Sequence, residues 1–318
     1  MSDFNFSTTG ATVVERWGSR LEGKTVVITG ASEGSLGGAT AIALASAHPA
    51  HLIILARSEK KIRGVIASIK DISPSTQCIF LPIELDDFES VRKAADAVRQ
   101  AVDKIDVLIN NAGVMAIPWE KNKNGIEKTF AINHLGHFLL TSLLMPLIIA
   151  AGPGSRIVTL SSGAHRMGPF RKEDWNFSDG KTYHPLTAYA QSKTANILFG
   201  VGLAKRYSKD GILAYAVHPG YIPETAILAH TQAMDREEMD RVSRENTGRS
   251  FQPDSPKSLE QGISTTLVAV LSAELAAYNG VYLKNCQVED TVGYAKDPEL
   301  AEVLWNLSER LVEEGFHV

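Results

Sequence analysis

The sequence has few cysteines, no excess of basic residues and no internal repeat. Its two cysteines, Cys78 and Cys286, have a separation that fits neither a metal site nor a redox motif. They are predicted to be small buried residues of a protein in a reducing compartment. The formal net charge of −4 argues against a nucleic-acid partner.

Neither a secretory leader nor a membrane anchor is predicted. Residues 1–20 lack the basic region followed by an apolar run that marks a leader. The longest apolar run, Phe138–Ala151, is interrupted by two hydroxyl residues and a proline, and it is too short to cross a bilayer. We therefore predict a cytoplasmic protein without stable membrane insertion.

Short apolar runs rich in β-branched residues alternate with helical segments through most of the chain. This alternation predicts an α/β fold with a parallel, doubly wound sheet. At 318 residues, of which 44% are hydrophobic, the chain can form one large α/β domain, with residues 1–20 as an N-terminal extension. The predicted strands lie at 24–29, 51–55, 77–81, 106–110, 155–160 and 212–217.

Glycines follow the first predicted strand and lead into a predicted helix at 39–47. Gly30, Gly34 and Gly37 stand in this turn, with two residues between the last two of them. In a strand–turn–helix context, glycines let the backbone approach a pyrophosphate, and the helix N-terminus favours its charge. The pattern predicts a dinucleotide site; the alternative is a glycine-rich turn without a ligand.

The end of the second predicted strand bears on the choice of dinucleotide. An acidic side chain there would bind a ribose 2′-hydroxyl, but the position holds Ala56, followed by Arg57. An arginine can instead pair with a 2′-phosphate, which favours NADP(H) over NAD(H). Two points weigh against this prediction: Arg57 can be an ordinary solvated residue, and Glu33 is unfavourable near a phosphate.

Polar residues also follow the third and fourth predicted strands. Glu84 can accept a hydrogen bond from the adenine amino group, whereas Asp86 or Asp87 can simply cap the next helix. Asn110 and Asn111 end the fourth strand, where amides can hold neighbouring loops. Because ligands of such sheets bind at the carboxyl ends of the strands, these residues are predicted to share one edge.

Tyr189 and Lys193 stand four residues apart and share one face of a predicted helix. A phenol titrates near pH ~10, and a neighbouring ammonium would lower its pKa toward a useful range. Such a pair can pass a proton to or from a carbonyl oxygen. Taken alone, the spacing is also common on solvated helix faces.

His134 and His137 lie on one face of a helical stretch predicted at 125–150. Two histidines at this spacing can bind a metal, but no further ligand stands where it would complete the site. We therefore predict no metal. The apolar character of this stretch and of the Tyr189 helix is compatible with a subunit interface, so a homodimer or homotetramer is possible.

Taken together, these motifs resemble the short-chain dehydrogenases/reductases, and within them the retinol-dehydrogenase-like and WW-domain-oxidoreductase-like branch. The resemblance covers the chain from about Leu21 to its end, and Asn279–Leu283 with Leu304-Trp305 is similar to fungal members. It rests on Thr29-Gly30-x3-Gly34, Asn110-Asn-Ala-Gly113-Val-Met, Asn133-His-Leu-Gly-His-Phe138, Arg156-Ile-Val-x-x-Ser-Ser162-x-Ala-His165, Tyr189-x3-Lys193 and His218-Pro-Gly220.

The resemblance implies a single Rossmann-fold domain at 21–318, with a mainly parallel seven-stranded sheet of order 3-2-1-4-5-6-7. It implies that Tyr189 is the proton donor or acceptor and that Lys193 lowers its pKa and holds the nicotinamide ribose. Ser162 would polarise the substrate oxygen, and Asn133 would anchor a water that links Lys193 to solvent.

The resemblance also implies a set of cofactor contacts. Two of them are less regular than in the family, because Glu84 stands where Asp is more common and Thr225 comes one place late. The implied contacts, together with Arg57, are Gly30, Ser32, Gly34, Leu36, Gly37, Glu84, Leu85, Asn111, Ala112, Gly113, Tyr189, Lys193, Pro219, Gly220, Ile222 and Thr225.

In this family the region 221–258 caps the substrate, and we predict a lid insertion there. Within it, 231–246 reads as a charged helix with a thin apolar stripe of Met234, Met239 and Val242. Residues that can supply an apolar substrate wall are Met115, Trp119, His165, Phe170, Trp175 and Tyr221.

The predicted function is that of an NADP(H)-dependent oxidoreductase that interconverts a carbonyl and an alcohol on a small apolar substrate. One alternative is an enzyme of secondary metabolism on the same scaffold, which reduces an enone or assists a cyclisation. The other is a cofactor-sensing regulator without catalysis, which the presence of Tyr189, Lys193 and Ser162 disfavours.

Overall fold

The computed structural model describes residues 3–225, 227 and 236–316. In this part of the chain, eight strands form one sheet with helices on both faces. The strands are β1 (Thr25–Thr29), β2 (His51–Ala56), β3 (Gln77–Pro82), β4 (Val107–Asn110), β5 (Arg156–Leu160), β6 (Leu213–His218), β7 (Val281–Lys284) and β8 (Gln287–Val288).

The α-helices alternate with these strands as predicted. One difference concerns a helix start: the helix after the glycines begins at Leu36, capped by Ser35, rather than at 39. A 3-10 turn, Glu59–Lys61, precedes the helix that follows β2. The helices are α1 (Gly10–Trp17), α2 (Leu36–Ala45), α3 (Arg63–Ile72), α4 (Phe88–Ala101), α5 (Lys128–Phe130), α6 (Gly136–Ala150), α7 (Pro185–Tyr207), α8 (Arg236–Thr247), α9 (Leu259–Leu271) and α10 (Pro298–Val312).

The strand order is β3-β2-β1-β4-β5-β6-β7-β8, and β1 to β7 pair in parallel. The predicted doubly wound fold and the order of its first seven strands are confirmed. The predicted count of seven is short by one, because β8 adds antiparallel to β7. This strand has two residues and follows a tight turn at Asn285 and Cys286, both with positive φ, so no apolar run marks it.

The N-terminal residues pack against the domain. Thr9 caps α1, and the helix packs on α9 and α2. Its residue Val13 is fully buried, and a Cβ at Gly10 would lie 2.5 Å from Ile263. The amphipathic pattern of this segment therefore corresponds to a helix with one face on the core.

The predicted helical stretch at 125–150 begins at Lys128, where the buried Glu127 accepts hydrogen bonds from the backbone of Thr129 and Phe130, both at 2.7 Å. A π-helical segment, Ala131–Leu135, joins α5 to α6. The resulting 23-residue helix is long and apolar enough to cross a membrane, but 72% of its apolar window is buried within the fold, as in the core helix of a globular domain.

The C-terminal helix α10 covers one side of α6 and α7. Trp305 packs on Phe138 and Phe199, with ring centroids 5.1 and 5.8 Å apart, and a Cβ at Gly202 would lie 2.7 Å from the Trp305 ring. Phe316 adds to the same aromatic cluster. Part of the apolar surface that suggested a subunit interface is therefore covered by the chain itself.

Candidate active site

The ends of β1 and β4 are joined by the hydroxyl of Thr29. Its Oγ1 accepts hydrogen bonds from the backbone N–H groups of Asn111 and Ala112, both at 3.0 Å, and lies 2.8 Å from His137 Nε2. Because the two N–H groups use its lone pairs, the hydroxyl proton points to His137. The Asn111 amide donates to the carbonyl oxygens of Thr29 and Gly30, at 2.7 and 3.2 Å, so it fixes the start of the glycine loop.

The glycines of this loop have different environments. Gly30 and Gly34 have φ values of 72° and 70°, in the left-handed region. A Cβ at Gly30 would lie 2.7 Å from Ala112, and one at Gly37 would lie 2.5 Å from the Gly30 carbonyl oxygen, so both are packed inside the turn. At Gly34 a Cβ would have no neighbour within 4 Å, so this backbone is open to a ligand.

The remaining residues of the turn complete a helix N-terminus suited to a phosphate. The Ser35 hydroxyl caps α2 by accepting from the N–H of Gly38 at 3.1 Å, and it donates to the Ser32 carbonyl oxygen at 2.6 Å. Leu36, the first residue of α2, lies beside Ile222, since a Cβ at Gly262 would meet both side chains. The predicted contacts Leu36 and Ile222 thus meet although they are far apart in sequence.

Arg57 lies just past β2, is exposed, and has no hydrogen-bond or ion-pair partner in the described ranges. The exposed Lys60, Lys61 and Arg63 follow it, equally without an ion-pair partner in these ranges. The Glu33 carboxylate is turned toward α3, where it lies within 3 Å of the position that a Cβ at Gly64 would take. This edge of the glycine loop is therefore mainly basic.

At the end of β3, Asp87 caps α4 by accepting hydrogen bonds from the N–H groups of Glu89 and Ser90, which confirms the capping alternative for this residue. Glu84 is exposed, and its backbone N–H donates to the Ser90 hydroxyl at 2.9 Å. The Leu85 carbonyl oxygen packs against Gly136, where a side chain would not fit. The Glu84 carboxylate has no hydrogen-bond or ion-pair partner among the described residues, and Leu85 packs the loop against α6.

The predicted catalytic side chains meet where β5 faces α7. Tyr189 is buried, and Ser162, just past the end of β5, lies close enough to its hydroxyl to lower the pKa of the phenol. Lys193, one turn further along α7, donates a hydrogen bond from Nζ to the Leu160 carbonyl oxygen at 2.9 Å, and Nζ lies 5.6 Å from the centroid of the Tyr189 ring. The structure thus brings Tyr189, Lys193 and Ser162 together.

Burial dominates the electrostatics of Tyr189 and Lys193. Burial raises the pKa of Tyr189 to about 12, and the hydrogen bond with Ser162 opposes this rise only in part. Burial also lowers the pKa of Lys193 to about 8. In the protein alone the ammonium lies over the ring and is bound to the Leu160 carbonyl oxygen, so the lowering of the phenol pKa by Lys193 stays a prediction for the complex with the cofactor. The phenol is therefore protonated at neutral pH.

Asn133 lies in the π-helical segment and fixes the loop after β4. Its amide donates to the Val114 carbonyl oxygen at 2.9 Å and to the Ser192 hydroxyl at 3.0 Å, and it accepts from the Val114 N–H at 2.8 Å. A Cβ at Gly113 would lie 3.1 Å from Asn133 Oδ1 and 3.5 Å from Lys193 Nζ. The predicted cofactor residue Gly113 therefore borders the catalytic group directly.

A buried cluster that the sequence reasoning missed holds the loops after β5 and β6 together. His218 Nδ1 accepts from the N–H of Gly163, the residue after Ser162, at 3.1 Å. Its Nε2 then carries the proton and donates to Asp254 at 3.0 Å. Asp254 also pairs with Arg166 and Lys284, at 3.0 and 2.8 Å. The His-Pro-Gly motif was the only signal for this cluster.

The residues after β6 form a short turn. Pro219 and Ile222 are buried, and the Thr225 hydroxyl donates to the Ile222 carbonyl oxygen at 3.0 Å. A Cβ at Gly220, whose φ is 98°, would lie 2.7 Å from the Lys257 stem. The hydroxyl proton of Thr225 is thus used within the turn, and its oxygen can still accept a hydrogen bond.

The residues proposed for the substrate wall have different environments in the structure. Met115 packs in one cluster with Tyr189 and with Met239 and Val242 of α8, whereas Met234 lies outside the described residues. The expectation for two others is wrong: Phe170 and Trp175 pack on the Phe130 ring in the main core. His165 is locked by the Ser162 carbonyl oxygen and Thr291.

Helix α8, in the region predicted to form a lid, contacts the start of α7. Within the predicted charged helix, the structure describes α8, which begins at Arg236. Glu238 lies 2.8 Å from His184 Nε2, the residue before α7, and the Asn246 amide donates to the Thr187 hydroxyl at 3.1 Å. Helix α8 therefore rests on the end of the helix that carries Tyr189.

Comparison with known proteins gives the same assignment as this geometry. The family model described as short chain dehydrogenase matches residues 24–236. The chain is 36% identical to retinol dehydrogenase 12 of Mus musculus over 91% of this chain and 86% of that protein, and 33% identical to the WW domain-containing oxidoreductase of Danio rerio over 93% and 70%.

Among solved structures, an uncharacterized protein from Mycobacterium paratuberculosis superposes with a TM-score of 0.72 at 31% identity, covering 95% of this chain and 99% of that one. The match to the family model, the two relatives and this fold agree with the grouping of Ser162, Tyr189 and Lys193. The chain belongs to the short-chain dehydrogenase/reductase family of oxidoreductases.

Proposed function

We propose that this chain is an NADP(H)-dependent oxidoreductase that interconverts a carbonyl and an alcohol on a small apolar substrate. The observation that carries the proposal is the grouping of a buried, protonated Tyr189 with Ser162 and Lys193 beneath an apolar cluster that includes the lid helix.

The residues present fit a nicotinamide dinucleotide. Gly34 leaves the backbone open at the N-terminus of α2, where N–H groups and the helix dipole favour a pyrophosphate. Gly113 leaves room beside Lys193 and Asn133, and Ile222 lies against Leu36 on the side of β6. When bound, the nicotinamide ring supplies or accepts the hydride. The protein supplies position and a proton.

The proton comes from Tyr189. Its hydroxyl is a neutral donor at pH 7 because burial holds its pKa at about 12, so it can protonate the oxygen of a carbonyl as that oxygen gains charge. Ser162 accepts or donates a hydrogen bond at the same point and orients the substrate oxygen. Lys193 is one turn away, and its ammonium stabilises the tyrosinate that forms.

The preference for NADP(H) rests on the basic edge after β2. Arg57 is exposed, free of partners in the described ranges and followed by three more basic residues. An arginine–phosphate pair contributes about 1.5–3 kcal/mol, or roughly 10- to 150-fold in binding. Arg57→Leu should therefore weaken NADPH binding by this factor and leave NADH binding unchanged. Arg310→Leu, which removes an exposed arginine of α10, is the control.

Cofactor consumption over a panel of apolar aldehydes, ketones and enones tests the proposed reaction. We expect turnover of a carbonyl with NADPH, and slower turnover with NADH. Turnover of enones alone would replace carbonyl reduction with the alternative reaction. Tight NADPH binding without turnover of any compound would contradict catalysis on this panel, and no binding of either dinucleotide would contradict the glycine-loop assignment.

The proposed location is the cytoplasm, and its support is the state of the thiols. Cys78 and Cys286 are both free, and burial raises the pKa of each, so neither is a reactive thiolate at neutral pH. Free buried thiols are typical of a reducing compartment. Fractionation of cells that produce the tagged protein is the corresponding measurement, and recovery with a membrane fraction would contradict the proposal.

A further inference from the structure

A cavity of about 260 Å³ opens beside Gly220, at the carboxyl edge of the sheet. It is separate from the basic edge after β2 and from the open backbone at Gly34. Five of its lining side chains are charged or polar and one is aromatic. The lining residues are Phe6, Gly220, Pro253, Asp254, Ser255, Lys257, Lys284 and Asn285.

Lys257 is the unusual member of this lining. It is 3% exposed, and its Nζ has no hydrogen-bond partner in the part of the chain that the structure describes. Its backbone N–H is held by the Tyr221 carbonyl oxygen at 2.8 Å, and its stem lies against Gly220. Its ammonium lies over the Phe6 ring, whose centroid is 4.9 Å away.

In the described part of the chain, no carboxylate is hydrogen-bonded to the Lys257 ammonium. Asp254 is the carboxylate in the lining of the cavity, and it already pairs with Arg166 and Lys284 and accepts from His218. Glu289 lies 3.6 Å from Lys284, but it is 43% exposed and its contact is with that lysine. A buried ammonium without a hydrogen-bonded counter-charge is costly, and here burial lowers the pKa of Lys257.

We propose that the cavity beside Gly220 is a binding site for one anionic oxygen group, a carboxylate or a phosphate, held by Lys257 and Lys284. An anion there would give Lys257 the partner that it lacks, and the volume is sufficient for a phosphate or for the carboxylate end of a larger molecule. Gly220 leaves room for the Lys257 side chain at this site, because a Cβ at position 220 would lie 2.7 Å from the Lys257 stem.

The site is linked to the catalytic group through Asp254 and His218. Gly163, next to Ser162, donates its N–H to His218, and a Cβ there would lie 2.5 Å from Asp254. A group bound in the cavity would therefore be connected, through Asp254 and His218, to the loop that carries Ser162. The inference does not depend on the proposed use of NADP(H), because it rests on Lys257 and its surroundings alone.

The test is a titration of the full chain with inorganic phosphate, followed by isothermal calorimetry and by thermal unfolding at constant ionic strength balanced with sodium chloride. We compare the wild type with Lys257→Met, which keeps an apolar stem over Gly220 and removes the charge. Arg57→Leu is the matched control, because it removes a cation of the cofactor edge and leaves this cavity intact.

We expect saturable phosphate binding by the wild type and by the Arg57→Leu variant, and at least tenfold weaker binding by Lys257→Met. Equal binding by wild type and Lys257→Met would overturn the proposal, as would loss of binding in Arg57→Leu alone. If Lys257→Met does not fold, calorimetry of the wild type in saturating NADPH decides: no saturable heat in either the presence or the absence of NADPH overturns the site.

The same titration identifies the source of the anionic group. If NADPH abolishes phosphate binding that depends on Lys257, the group held here belongs to the dinucleotide itself. If binding persists beside NADPH, the group is a free oxyanion or the carboxylate of a second ligand. Both outcomes support the anion site, and they separate it from the failure of the proposed function, which would leave phosphate binding intact while no carbonyl is reduced.

Discussion

Three buried neutral histidines should make this protein sensitive to mild acid. His134, His137 and His165 are each 1% exposed, and burial lowers their pKa values to about 3, about 4 and about 3. Each is hydrogen-bonded in its neutral form: His134 to the Ser308 hydroxyl at 2.9 Å, and His137 to Thr29 at 2.8 Å. Protonation would place an uncompensated charge in the core.

The sign and size of the effect follow from these pKa values. In the unfolded chain a histidine titrates near ~6.5, above its folded pKa, so the stabilisation is present above pH ~6.5 and is lost as pH falls toward the folded pKa. Each group contributes about 1.4 kcal/mol per pH unit in this window. At pH 5 the three together remove about 6 kcal/mol from a typical unfolding free energy of about 5–15 kcal/mol.

Denaturant unfolding at pH 7.5, 6 and 5 measures this slope. We expect the free energy of unfolding to fall by about 4 kcal/mol per pH unit near pH 5.5 in the wild type, and by about a third less in His134→Gln. His48→Gln, which alters an exposed histidine, should keep the wild-type slope. A free energy of unfolding that is constant between pH 7.5 and 5 would refute this reasoning.

Three further substitutions probe separate parts of the structure. Gly37→Ala should weaken dinucleotide binding in calorimetry, because its Cβ would lie 2.5 Å from the Gly30 carbonyl oxygen; unchanged binding would contradict the packing described for the turn. Trp305→Ala should cost about 3–5 kcal/mol in denaturant unfolding, and a loss below about 1 kcal/mol would show that α10 is not part of the core. Asp254→Asn should cost roughly 2 kcal/mol, because the charges of Arg166 and Lys284 lose their shared partner; an unchanged midpoint would contradict this cluster.

The fold was largely predictable because its strands are continuous apolar runs and its motifs stand at strand ends. The boundaries of β1 and β2 differ from the predicted ones by one residue. Strand β8 was missed because a two-residue strand has no periodicity, and its pairing depends on the turn at Asn285 and Cys286. The local sequence pattern therefore predicted the parallel strands but not the antiparallel strand at the edge of the sheet.

The proximity of Tyr189 and Lys193 was predictable because they are four residues apart on one helix. Their pKa values were not, since those depend on burial by residues distant in sequence. Asp254 and Lys257 were missed for a similar reason: they stand in a polar segment without a motif, and only the fold brings Asp254 to His218. The spacing of residues in the sequence shows which of them share a helix or strand. Their pKa values and ion pairs depend on contacts that only the packed structure shows.

The most direct test of the central claim is the rate of NADPH-dependent carbonyl reduction at pH 7.5 in Tyr189→Phe. The matched control is Tyr215→Phe, because Tyr215 is fully buried on β6 and its hydroxyl donates to the Leu275 carbonyl oxygen at 2.7 Å. The account predicts that kcat falls by about 10²–10⁴-fold in Tyr189→Phe with dinucleotide binding retained, and stays within about threefold in the control. A Tyr189→Phe enzyme that keeps wild-type kcat would contradict it.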